Sequence, residues 1–267
     1  MSLPNQPRVL AVTNQKGGVG KTTTAINLGA ALADAGAPVL IIDIDPQGNA
    51  STGLGIEPDQ RSLTTYDLML EGADISDVIQ KTAFEGLDIA PATTDLSSTD
   101  IDLVDQENRV FMLKSALNRD ALRRYAFVLI DCPPSLSLLT VNALAAADAV
   151  LVPLQAEFFA LEGLSQLMLT IRNVRETANP DLRIDGIALT MVDQRNNLAK
   201  QVEDDVRNTL GDLVMQTMIP RNVRVSEAPS FAVPVTVYDP SSKGSQAYRD
   251  MAKELLDRAA TTAEEAV

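Results

Sequence analysis

Residues 14 to 24 read Asn-Gln-Lys-Gly-Gly-Val-Gly-Lys-Thr-Thr-Thr, and their types suit one chemistry, the grip of a phosphate chain. Gly17, Gly18 and Gly20 carry no Cβ, so the backbone there takes positive φ at little cost and can turn its N–H groups inward. Such a concavity at the positive end of a helix binds anions. The predicted cradle is Gly17, Gly18, Val19, Gly20, Lys21, Thr22 and Thr23. Lys21 would reach the terminal phosphates of a nucleotide, and the Thr22 hydroxyl would be a ligand of its Mg²⁺.

Two carboxylate sites accompany the loop. Asp43 and Asp45 close an apolar run in Asp43-Ile-Asp-Pro-Gln-Gly-Asn. Two residues apart on an extended segment, they point the same way. One can orient or polarise an attacking water while the other supports Mg²⁺ or the loop; equally, two acids can simply end a strand. Asp131 ends Tyr125-Ala-Phe-Val-Leu-Ile-Asp-Cys-Pro-Pro, and fits a carboxylate that holds Mg²⁺ through water. Its rival role is to cap the next helix. The absence of His removes the commonest metal ligand and general base, so the chemistry must rest on oxygen ligands and carboxylates.

These groups must be positioned by strands and helices. Val9–Val12 precedes the glycine loop, and Ala25, Ile26, Leu28 and Leu32 follow at helical spacing. Apolar runs at 37–42, 87–90, 125–130, 149–152 and 184–191 alternate with helical patterns at 138–147, 164–179, 202–210 and 247–256. Such alternation predicts a single α/β domain over residues 1–267, a doubly wound, mainly parallel sheet with helices on both faces. The nucleotide would then lie at the carboxyl edge of the strands. A further amphipathic helix is expected over Arg109–Leu122, from Val110, Leu113 and Leu117. Residues 1–7 and the acidic tail 261–267 are expected to be loose.

The loop departs from the usual G-x-x-x-x-G-K-[ST], because Gln15 stands where the first glycine would be and Lys16 follows it. This K-G-G-V-G-K-T form resembles the deviant Walker A box of the ParA/MinD family of P-loop ATPases. Further stretches agree in order: D-x-D-P-Q-G-N at Asp43, D-x-P-P at Asp131, V-P-x-Q-x-E at Val152, Leu161-Glu162-Gly163, and Pro220-Arg-Asn-Val-Arg-Val-Ser-Glu-Ala-Pro. The last resembles the partition branch. The resemblance implies ATP and Mg²⁺ as cofactors, and a homodimer in which Lys16 crosses to the partner's nucleotide and stabilises the transferred phosphoryl group. It assigns water orientation to Asp45, leaving Asp43 to support the metal indirectly, and it places Pro220 and Asn222 around the adenine. It implies nonspecific double-stranded DNA as cargo surface, with Arg195, Arg221 and Arg224 as candidate phosphate contacts. A ParB-type partner with a short basic segment would accelerate hydrolysis. Gln155 and Glu157 fall near the implied subunit interface, but could equally be loop residues satisfying backbone groups.

Composition sets outer limits. One cysteine, Cys132, rules out a disulfide framework and reads as a small packed hydrophobe. No run approaches the roughly 18 apolar residues of a membrane span, and the N-terminus lacks a charged-then-apolar pattern, so a cytoplasmic protein is expected, to which the resemblance adds association with the nucleoid. The net charge of −14 is uneven: residues 34–107 hold sixteen acids and two bases. Three rivals share the loop. A membrane-bound MinD-like switch should end in a basic amphipathic helix, whereas this chain ends Glu264-Glu265-Ala-Val. An iron–sulfur carrier needs several cysteines, and a metabolic synthetase would need its small substrate and ignore DNA.

Overall fold

Seven strands form one sheet: β1 (Arg8–Val12), β2 (Val39–Asp43), β3 (Gln80–Lys81), β4 (Leu87–Ala90), β5 (Phe127–Asp131), β6 (Ala149–Gln155) and β7 (Arg183–Thr190). The computed structural model describes residues 6–157, 160–193, 195 and 197–265. The strand order is β3-β4-β2-β5-β1-β6-β7, and every pairing is parallel except that of β3 with β4. The doubly wound sheet expected from the sequence is therefore present.

Both faces are buried, and the two-residue period of the strands divides them cleanly. Val9, Ala11, Leu40, Ile42, Val128 and Ile130 point to one apolar layer, where helices Leu138–Ala146 and Ala160–Thr177 pack. Leu10, Val12, Val39, Ile41, Phe127 and Leu129 point to the other, against α1 (Lys21–Asp34) and the C-terminal helix Lys243–Glu265. This double burial is why the strands read as continuous apolar runs. Pro153 sits inside β6 but beyond the last β6–β1 pair at Leu151, so its missing N–H interrupts no ladder there.

Register fixes the site. Val12 of β1 and Asp43 of β2 both pair with Asp131 on the strand between them. Three adjacent strands thus end at one level, and their following loops meet above it.

The sheet has two differently finished margins. Beyond β4, the two-residue β3 runs antiparallel and carries Lys81, whose Nζ lies 2.8 Å from Asp88 Oδ2. On the far side, β7 is flanked by isolated bridges from Ile187 to Val214 and from Val192 to Pro220.

One expectation needs correction. The helix over Arg109–Leu122 is confined to Met112–Ala116. Asn118 ends it, its Oδ1 accepting from the N–H groups of Asp120 and Ala121 at 3.1 and 3.4 Å, a local turn that competes with helix. At the C-terminus the helix runs to Glu265, and residues 266 and 267 lie outside the described part, as do residues 1–5 at the other end.

Candidate functional site

The glycine loop leaves β1 under several restraints. Thr13 N–H donates to Leu151 O at 3.1 Å. Asn14 donates through Nδ2 to Pro153 O at 2.8 Å and accepts the Lys16 N–H at 3.0 Å. Thr190 Oγ1, at the end of β7, donates to Val19 O at 2.8 Å. Gly18 and Gly20 have φ of 74° and 89°, a region costly for other residues. Gly17 does not share that conformation, and an added Cβ would meet only Pro134 Cβ at 3.9 Å. The expectation that all three glycines turn the backbone through positive φ is thus corrected for Gly17. Gly20 is the N-cap of α1, so the helix's first N–H groups open onto the loop. Lys21 is 6% exposed, and its Nζ donates to Lys16 O at 3.2 Å across the loop.

A cleft of about 300 Å³ lies over this loop, lined by Gly18, Gly20, Lys21, Thr22, Thr23 and Asp45 among others. Asp45 and Asp43 are both buried but differently engaged. Asp43 accepts from Ser51 N–H and Oγ at 2.9 and 2.7 Å and from Asp45 N–H at 3.1 Å. It thereby anchors the start of α2 (Asn49–Gly53) to the sheet. Asp45 takes the Gln47 N–H at 3.0 Å and lines the cleft.

Asp131 contrasts with both. Its carboxylate is fully buried, and neither oxygen reaches a partner in hydrogen-bond geometry, although the Thr22 hydroxyl is near enough to favour the charged form. Burial first, and then the neighbouring Asp43 and Asp45, push its pKa well above the usual carboxylate range, against Thr22 and Lys21. Burial also raises Asp43, to about 6. Lys21 is lowered by burial and supported by Asp131. A carboxylate with unfilled acceptors beside a lysine, a threonine and a glycine cradle fits a magnesium–nucleotide site: the cation would relieve acid–acid repulsion and occupy those acceptors.

Lys16, by contrast, points away to the end of β6. Its Nζ lies 2.7 Å from Glu157 Oε2, and Gln155 Nε2 donates to the other Glu157 oxygen. The pair is 39% and 47% exposed, so it is held weakly. Gln155 and Glu157 therefore act on the early lysine, a use the sequence left open. The side chains of Leu161 and Glu162 lie outside the described residues.

A second, larger cleft of about 910 Å³ opens beside the end of β7, where Val192, Arg195, Pro220, Arg221 and Lys243 meet. Arg195 forks onto Asp193, with Nε and Nη2 at 3.0 and 2.9 Å. Those bonds hold the Asp193 carboxyl down at about 2. Arg224 does not line this cleft; it pairs with Glu227 at 2.9 Å and Asp239 at 3.4 Å. Asn222 Oδ1 accepts the Arg224 N–H at 2.8 Å and so caps the helix Val223–Glu227. The structure thus brings Arg195, Arg221 and Pro220 together, keeps Arg224 apart, and sets this group beside the loop cleft through the adjacent Met191 and Val192. Met191 takes φ of 51°, and its Cε would lie 3.8 Å from a Cβ on Gly20. Nothing in the sequence marks Met191 or Thr190 as part of the site.

A family profile described as "AAA domain" matches residues 7–184. The chromosome partitioning protein ParA of Caulobacter vibrioides is 58% identical over 257 residues, 95% of this chain and 96% of its own. The sporulation initiation inhibitor protein Soj of Bacillus subtilis is 52% identical over 93% of this chain and 98% of its own. The chain belongs to the ParA/Soj family. Among solved structures, this ParA/Soj chain is similar to cobyrinic acid a,c-diamide synthase of Mycobacterium smegmatis with bound ATP analog and magnesium: 39% identity, 94% of each chain covered, TM-score 0.82. The resemblance drawn from the glycine loop and its companion motifs is therefore borne out at the level of family and fold, and the nucleotide-binding P-loop architecture with it. Among the described residues no helix is long and apolar enough to cross a membrane.

Proposed function

We propose that this chain is a Mg²⁺-dependent ATPase that partitions DNA: an ATP-bound dimer holds nonspecific double-stranded DNA, and hydrolysis, stimulated by a ParB-type partner, releases it. The observation that carries the reading is the common level at which β1, β2 and β5 end, which brings Lys21, Thr22, Asp45 and the unfilled Asp131 carboxylate to one loop.

In this mechanism the backbone N–H groups of residues 17–23 and the Lys21 ammonium bind the phosphates. Thr22 would hold Mg²⁺ directly and Asp131 through water, with Asp43 fixing the adjacent turn. When bound, the cation neutralises charge shared between the phosphates. Asp45 orients the water and receives its proton, a role open to a carboxylate at the cleft wall. Lys16 would leave Glu157 for the second copy's nucleotide. That exchange is cheap, because a pair this exposed contributes at most about 1 kcal/mol. Pro220 and Asn222 would flank the adenine, and Arg195, Arg221 and Arg224 would meet DNA phosphates, first giving up Asp193, Glu227 and Asp239 where they are paired. The Caulobacter and Bacillus relatives' names support the partition role, and a cytoplasmic, nucleoid-associated location follows from it.

The test is an electrophoretic DNA shift with ATP, ADP or a slowly hydrolysed analogue across a salt series, with light scattering on the same samples. Dimers that form with ATP and bind DNA ever more weakly as salt rises are expected. A monomer under saturating analogue and Mg²⁺ would overturn the proposal. The likeness to the diamide synthase favours a second reading, ATP-driven amide formation on a small carboxylic acid. Such an enzyme would turn over ATP only with acid and nitrogen donor present, and would be indifferent to DNA.

A further inference from the structure

Arg61 is one of only two bases in the acidic stretch 34–107, yet its guanidinium turns to oxygens of the main chain. Nε and Nη2 donate to Ile56 O at 3.0 and 2.7 Å, and Nη1 donates to Ala92 O at 2.9 Å. Nη2 also donates to Thr52 Oγ1 at 2.7 Å. One side chain thus ties together α2, the turn that follows it, and the segment leaving β4.

Against this fork lies the turn that carries Asp45. Gly48 N–H donates to Asp45 O at 2.8 Å and closes the turn, while Asp45 Oδ1 accepts the Gln47 N–H. A Cβ on Gly48 would stand 2.3 Å from Arg61 Nη1 and 3.0 Å from Ala92 O, so the guanidinium fills the space a side chain would take. Gly48 has φ of 60°, where glycine alone is at ease. The other side of the turn is held through Ser51, which donates to Asp43 and accepts the Ala92 N–H at Oγ at 3.1 Å. Ala92 is therefore gripped at its N–H by Ser51 and at its carbonyl by Arg61.

We propose that Arg61 is a positioning residue for Asp45: by locking Gly48 against Ala92 it sets where the carboxylate stands in the cleft, and hence the rate of hydrolysis. The inference rests on the reading above that Asp45 orients the attacking water. Its four bonds all lie away from residues 17–23, so nucleotide affinity is left to the loop. A planar fork reaches several acceptors at once, which the single ammonium of lysine cannot reproduce. Displacing a catalytic group by about 1 Å can cost up to about a hundredfold in rate.

Single-turnover hydrolysis of radiolabelled ATP by excess full chain with Mg²⁺ measures the chemical step, and anisotropy of methylanthraniloyl-ATP measures affinity. Arg61→Ala is expected to slow hydrolysis about 10- to 100-fold, with affinity kept within about twofold. Arg61→Lys should stay within about threefold of the alanine variant. In an Asp45→Ala background, Arg61→Ala should cost no more than about a further twofold, because it acts through the carboxylate already removed. Hydrogen exchange should quicken at amides 45–53 and not at 17–24. Arg172→Ala, which breaks an exposed pair with Glu176, should change none of these. Where the alanine variant does not melt cooperatively, Arg61→Gln, which keeps most of the stem, takes its place in the same cycle. Parent-like hydrolysis by Arg61→Ala, equal loss of rate and affinity, full restoration by lysine, or multiplied penalties in the double variant would each overturn the proposal. Parent-like hydrolysis by Asp45→Ala would remove the underlying assignment and this one with it. An impaired Asp45→Ala beside an unimpaired Arg61→Ala would sink the positioning role alone.

Discussion

Asp131 holds two buried acceptor oxygens that nothing in the chain fills, among acids that repel it. Such a group is a stability liability. Asp131→Asn removes the buried charge, so the nucleotide-free variant should melt a few degrees higher than the parent, about 2–4 °C per kcal/mol for a domain of this size. It should also lose most of the melting shift given by Mg²⁺ and ATP, which scanning calorimetry with and without ligand would reveal. Lys21→Ala should weaken nucleotide binding by about a hundredfold, roughly 3 kcal/mol, in isothermal titration. Asp45→Ala should keep ATP, lose about 10²–10⁴ in turnover, and stay on DNA; rapid release from DNA would contradict its assigned role. The loop and its carboxylates were legible in the sequence because phosphate chemistry demands those residue types at fixed spacing. Thr190 was not, since it meets the loop from 171 positions away and nothing local marks it; Glu157 stood out in V-P-x-Q-x-E, but its pairing with Lys16, 141 positions away, did not.

The strands were readable for a different reason: burial on both faces writes them as unbroken apolar runs. The helix expected over 109–122 failed because one asparagine offered the backbone a competing turn, an effect that apolar periodicity does not register. At the far end of the chain, Glu254 shows what an element can depend on. From the C-terminal helix its two oxygens accept Gln216 N–H and Thr217 N–H, each at 2.8 Å, with Arg258 alongside at 3.0 Å. Burial raises its pKa, but the backbone N–H groups of Thr217 and Gln216, with Arg258, outweigh that and hold it below the usual value. The folded state therefore favours the charged form. The resulting stability is complete above the ordinary Glu value and drains as pH falls through the lowered one. Glu254→Ala should cost about 1–3 kcal/mol at neutral pH. Its deficit relative to the parent should shrink below about pH 4 in denaturant titrations, the unfolded glutamate value lying near there. A deficit unchanged with pH would show that packing, not charge, holds this helix.

Over the whole molecule, charge is divided by region rather than spread. The acidic stretch 34–107 lies apart in sequence from Arg195, Arg221 and Lys243, which share one cleft. With a net charge of −14, DNA can bind only where local bases overcome the general repulsion. Arg221→Ala should thus weaken ATP-dependent DNA binding across all sequences alike and reduce the salt slope by about one. A variant with an unaltered slope would remove Arg221 from the contact. Finally, the sheet's margins bear on how copies of this chain can meet. One edge is closed by a reversed two-residue strand bearing Lys81, the other by the bridges from Val214 and Pro220. Neither presents a long bare ladder of main-chain donors and acceptors for a neighbour to zip onto. Stacking into fibrils by continuing the sheet is thereby discouraged, and any meeting of copies is left to side chains, which can let go.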